Sequence, residues 1–165
     1  MKYKISIKNQ FIALRMLIFN GIAFIGVAYY LYYLLGYNCD VELGVVIYYL
    51  MLTIPTIYIH IQYYLLNKND VVIVDMLQKT IHINEGNLIP FKEIKKIVIF
   101  MSFVKFRRGF VKYLPSDNYQ YAKFEFEDGK RYTLTSLMVP KLEAFINTLE
   151  SVQIERKRRF IPNIV

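Results

Sequence analysis

Two uncharged runs, 16–39 and 43–67, dominate the hydropathy pattern, and only Asp40, Val41 and Glu42 part them. Each exceeds the roughly 20 apolar residues that a helix needs to cross a bilayer core of about 30 Å. Neither keeps the polar stripe at helical spacing that a soluble core helix shows. The pattern predicts a transmembrane hairpin over 16–67, with spans of about 16–38 and 43–66. Gly21, Ala23, Gly26 and Ala28 give the first span a small-residue side, though without GxxxG spacing. Pro55 predicts a kink in the second span, with Thr53 or Thr56 placed to compensate for the freed Met51 carbonyl.

Past Asn67 the period changes. The β-branched run 71–75 and the alternating Thr-Ile-His-Ile-Asn of 80–84 predict two strands, with turns at 76–79 and 85–87. A short strand or bend follows at 88–91, and 94–103 predicts a long central strand through Ile-Val-Ile-Phe-Met. Over 119–136, Tyr121, Lys123, Glu125 and Glu127 alternate with Ala122, Phe124 and Phe126. Asp128-Gly129 then predicts a two-residue hairpin turn. From Pro140, which suits a first helical turn, Leu142, Phe145, Ile146, Leu149 and Val152 recur at helical intervals. The fold class expected is an α+β membrane protein: a transmembrane helical hairpin, then a small antiparallel β-barrel or sandwich capped by a C-terminal helix. Its divisions are an amphipathic lead-in at 1–15, the hairpin at 16–67, a β domain at 68–153 and a basic tail at 154–165.

Three stretches carry a family likeness. They are Ile89-Pro90-Phe91-Lys92-Glu93-Ile94-Lys95-Lys96-Ile97, then Phe124-Glu125-Phe126-Glu127-Asp128-Gly129-Lys130, and the leucine-spaced terminal helix. Together they resemble the bacterial pleckstrin-homology-like (PH-like) family, whose members often place this domain behind two membrane spans. The resemblance covers nearly the whole chain. Its motifs are structural rather than catalytic, so it implies a fold more than an activity.

Charge sets an expected sidedness. Lys2, Lys4, Lys8 and Arg15 precede the first span without an acid among them, and the connecting turn carries Asp40 and Glu42 without a base. The net charge is +8, and positive flanks stay cytoplasmic. Both termini are therefore expected on the cytoplasmic face of a bacterial inner membrane, with a short acidic turn outside. Tyrosines crowd both ends of the spans, among them Tyr29, Tyr33, Tyr48, Tyr58, Tyr63 and Tyr64, where anchoring at the interface is the simplest role. Cys39 stands alone, so an intramolecular disulfide is excluded. No charged residue lies inside either span, which argues against a carrier.

No catalytic constellation or metal-ligand spacing emerges; His60 falls near the cytoplasmic exit of the second span and His82 in an alternating strand. A non-enzyme without cofactor is expected. Phosphate-bearing ligands would find Lys105, Arg107, Arg108 and Lys112 interleaved with Phe106, Phe110 and Tyr113. Guanidinium groups bind phosphate bidentately and rings stack on bases. Arg156, Lys157, Arg158 and Arg159 form a second cluster, suited to an anionic leaflet. Expected partners are the bilayer, its anionic headgroups or a phosphate-bearing small ligand, and further copies of the chain; a nucleic-acid polymer is not expected. Within the resemblance, one known role is immunity against membrane-active toxins or bacteriocins. The alternative, by architecture, is a cyclic-nucleotide-gated effector of antiphage defence that disrupts the membrane.

Overall fold

A computed structural model of the chain describes residues 1–36, 39–84, 86, 88–102, 114–149, 152–159 and 161–164. Two helices, α1 (Ile7–Leu35) and α2 (Cys39–Asn67), each run 29 residues. Ser6 starts α1, its hydroxyl oxygen accepting from the Asn9 amide at 3.2 Å, which satisfies a donor that the helix start leaves open. Gly36 follows the last turn at φ +67°, a backbone state that favours glycine. Both helices are long and apolar enough to cross a membrane, and only 6% and 11% of their most apolar windows are buried. Asp40, Val41 and Glu42, expected as the connecting turn, form the first turn of α2 instead. There the carboxylates meet the positive end of the helix dipole. Where the helices meet, Gly21 leaves room for the Tyr49 hydroxyl, which would lie 3.0 Å from any Cβ at that position. Pro55 stays within α2, and the Thr56 hydroxyl donates to the Leu52 carbonyl at 3.0 Å.

Among the described residues, eight strands form two sheets. In the first, β1 (Lys2–Tyr3), β2 (Val72–Asp75), β3 (Thr80–Ile83) and β4 (Leu88–Pro90) pair antiparallel in that order. The second contains β5 (Ile94–Ser102), β6 (Gln120–Phe126), β7 (Arg131–Thr135) and β8 (Ile154–Arg159), in the order β7-β6-β5-β8. Among the described residues, the two sheets do not close into the expected barrel. Strand β4 stops after three residues at Pro90, which has no amide hydrogen to extend a ladder. At the facing edge, the Asn67 side chain takes the place of another strand against β7, accepting from the Thr135 amide at 3.2 Å and donating to the Thr133 carbonyl at 3.0 Å.

Other expectations are also revised. Strand β8 runs parallel to β5, so the sheet is mixed, and the basic residues 156–159 are part of it rather than a tail. Residues 2–3 belong to the first sheet, so the hairpin is an insertion between β1 and β2. The β6–β7 turn spans Glu127, Asp128 and Gly129, with the Gly129 amide donating to Phe126 O and the Phe126 amide to Lys130 O. Gly129 has φ +79° while Asp128 is not left-handed, the three-residue hairpin with a glycine bulge rather than a two-residue turn. The final helix, α3 (Leu142–Ile146), has five residues. Bonds from Thr148 N to Phe145 O and from Leu149 N to Ile146 O tighten its end, and the Thr148 hydroxyl takes the Phe145 carbonyl at 2.6 Å.

The layers explain the long apolar run of β5. Its residues Ile97, Ile99 and Met101 face the first sheet, with Ala122, Phe124, Val74, Ile81, Phe145 and Leu149 in one buried cluster. Alternate residues Val98 and Phe100 face the other way, into a second cluster with Tyr119, Tyr121, Leu137, Ala13 of α1 and Ile59 and Tyr63 of α2. A strand buried on both faces loses the polar half of its period. Each large apolar side chain so covered contributes roughly 1.5–3 kcal/mol before entropy.

Candidate functional site

Of the residues expected to bind phosphate, Lys105, Phe106, Arg107, Arg108, Phe110, Lys112 and Tyr113 all lie outside the described residues. The second basic cluster is described, and strand alternation divides it. Arg159 stacks over the Phe100 ring, 4.9 Å from its centroid, on the face that carries the helices, and donates to the Asn163 carbonyl at 3.1 Å. Arg156 is tied near α3, its guanidinium 3.1 Å from Glu143 Oε1 and 2.9 Å from Asn147 Oδ1. Lys157 lies 3.3 Å from Glu155, which also pairs with Lys96 across the parallel ladder. The four cations therefore do not make one patch.

A different site emerges where the helices meet the second sheet. Tyr63 is fully buried, its ring edge-on to Tyr119 and Tyr121 at 5.5 and 6.1 Å between centroids. Its hydroxyl donates to the Pro162 carbonyl at 2.6 Å. Tyr121 stacks on Phe100 at 4.7 Å, and His60 Nδ1 lies 2.9 Å from the Tyr119 hydroxyl. Residues after β8 close the site from outside, as the Ile164 amide donates to Gln62 Oε1 at 3.3 Å. Burial pushes the Tyr119 hydroxyl well above its ordinary pKa, so it stays a neutral donor or acceptor.

A polar joint sits beside this aromatic one. Asn67 is fully buried, and its amide also donates to Asp70 Oδ2 at 2.8 Å, an oxygen that accepts from the Tyr132 hydroxyl at 2.8 Å too. Asn84 donates to Asp70 Oδ1 at 3.0 Å while its own oxygen accepts from the Val71 amide at 2.8 Å. Burial acts to raise the Asp70 carboxyl, but the bonds from Asn84, Asn67 and Tyr132 outweigh it and hold the group below its ordinary value. Burial and the Asp70 carboxylate both raise the Tyr132 hydroxyl. Nothing in these contacts resembles a nucleophile with its base; they fix the angle between hairpin and β domain.

A cleft of about 600 Å³ opens between the unjoined sheet edges. Ile83, Leu88 and Phe126 give it apolar wall, and Glu93, Lys130 and Arg131 line it with charge. Such a mixed hollow suits a ligand with both apolar and polar parts. Sequence reasoning missed the aromatic joint because Tyr121 sits on the side of β6 that also carries Lys123 and Glu125. The available signal was the unbroken apolar run of β5, which asks for cover on both faces.

A PH domain family model matches residues 2–147. That stretch includes β1, both helices and the strands through α3, so the chain belongs to the PH-domain family. No curated protein and no solved structure matches it.

Proposed function

We propose that the protein is a non-enzymatic integral membrane protein of a bacterial inner membrane, both termini cytoplasmic, with its PH domain acting as a binding module at the bilayer face. The observation that carries this reading is the joint: Tyr63, Asn67 and Ala13 tie both helices to the sheet. A partner captured by the β domain is thereby held at a set height and angle to the bilayer. The use we infer is immunity, protection of the producing cell against a membrane-active toxin or bacteriocin. Expression of the full chain in a sensitive strain should raise survival against the toxin encoded beside it; unchanged killing would sink the immunity role.

The same joint supports a second reading, an effector gated by a cyclic nucleotide. Binding at the basic, aromatic stretch 103–113, which directly follows β5, would act on the helices through Phe100 and Tyr121. Calorimetry of the full-length protein in detergent with cyclic di- and trinucleotides decides between the two, since heat with assembly favours the effector. The full chain is required, because 68–165 alone lacks β1 and bares the tyrosine face of the second sheet.

A further inference from the structure

Between the first turns of α1 and the segment leading into α3 lie two adjoining hollows, of about 540 and 380 Å³. They share Asn9, Ile12, Pro140 and Lys141. Lys8 lines the first and Arg15 the second, with Lys141 common to both, and no acidic side chain lines either among the described residues. Lys8 and Arg15 stand seven residues apart, about two helical turns, and so point from one side of α1. The wall is held in place by Asn9, whose side-chain amide donates to the Met138 carbonyl at 3.2 Å.

What lies next to the groove selects its occupant. Arg15 is the last charged residue before the uncharged run of α1. Ile18, Phe19 and Ile22 lie three, four and seven residues past it, on its side of the helix, and all three are exposed. A free anion would use the cations and leave this apolar track bare. A phospholipid uses both.

We propose that the groove binds the phosphate headgroup of an anionic phospholipid from the surrounding leaflet, with an acyl chain along Ile18, Phe19 and Ile22. This rests on α1 crossing the bilayer, as proposed above. It adds a lipid site distinct from the cleft between the sheets and from the basic stretch 103–113.

The test places the full-length protein in phosphatidylcholine nanodiscs containing a minor fraction of phosphatidylglycerol and counts retained lipids by native mass spectrometry. Phosphatidylglycerol should be retained over phosphatidylcholine. Each cation near a membrane surface is worth roughly fivefold in binding, so K8Q/R15Q/K141Q should lower that preference about a hundredfold. The single variant K141Q, outside any long helix, should lower it about fivefold with folding intact. A control triple of equal charge, K92Q/K95Q/K157Q, should leave it within about twofold, because none of those cations lines either hollow. Equal loss in both triples, or no preference in the parent protein, overturns the proposal alone. Displacement of the lipid by millimolar inorganic phosphate also overturns it, in favour of a free-anion site. Failure to enter nanodiscs overturns the spanning reading, and the proposal with it.

Discussion

The two faces of the second sheet are covered by different chemistry, and the cluster toward the first sheet is the larger. Toward the first sheet the contacts are mostly aliphatic, with Ile97, Ile99, Met101 and Leu134 around Phe124. Toward the helices aromatic rings take a far larger share, with Phe100, Tyr63, Tyr119 and Tyr121 meeting at ring edges and faces. Aliphatic packing is governed by volume and is tolerant of angle. Rings attract in preferred orientations, and their hydroxyls bond along fixed directions. The first face therefore sets how stable the β domain is, and the second sets how the hairpin stands on it.

The largest effect that separates the faces is expected from Phe124→Ala. Phe124 is almost fully buried, and such truncations cost about 3–5 kcal/mol. Tyrosine-fluorescence melting in detergent should show the β domain unfolding far earlier while the helical circular dichroism of the hairpin persists. Loss of both signals together would mean that the two layers are one cooperative unit. Asn67→Ala comes next. It orphans the Thr133 carbonyl and the Thr135 amide, and a buried polar group left unpaired costs about 1–3 kcal/mol. Distances between spin labels at exposed Leu65 and Leu77 should broaden in this variant, whereas in Phe124→Ala under folding conditions they should not.

Acid probes the same joint. Asp70 is held below its ordinary pKa in the fold, so the stability it contributes is fully present above its unfolded value of about 3.9 and is lost as pH falls through the lower folded value. The spin-label distances should broaden across that acid window, and Asp70→Asn should remove the pH dependence there. A profile unchanged by the substitution would show that the carboxylate does not hold the elbow.

How far the chain disclosed this in advance differs by region. Helices and local hairpins were legible, since α1, α2, β2, β3 and the β6–β7 pair each follow from neighbours in sequence. The inner cluster was legible too, because Phe124, Phe145 and Leu149 mark apolar sides by simple period. Strand β8 was not: Glu155, Arg156, Lys157 and Arg158 look like a solvated tail, and only pairing with β5, more than fifty positions earlier, makes them a strand. The joint was hidden for a related reason. Tyr63 suits a membrane interface as well as a buried contact, and Asn67 acts as a surrogate strand only once β7 is beside it. Of the candidate ligand residues, those in 103–113 lie outside the described structure, so the contest between immunity and gating passes to the binding experiments.

The finest contrast uses two tyrosines that touch. Tyr63→Phe keeps the ring contacts with Tyr119 and Tyr121 but removes the bond to the Pro162 carbonyl, a loss of about 0.5–1.5 kcal/mol. Tyr121→Phe keeps the stack on Phe100 and deletes a buried hydroxyl without a hydrogen-bond partner among the described residues. Removing such a group relieves a desolvation cost, so melting in detergent should stay level or rise slightly. If orientation on this face comes from directed bonds, only Tyr63→Phe should loosen the segment 161–164, seen as faster proteolysis there. Equal loosening by both substitutions would mean that ring packing alone sets the hairpin's angle, and the distinction between the two faces would reduce to the shape of their side chains.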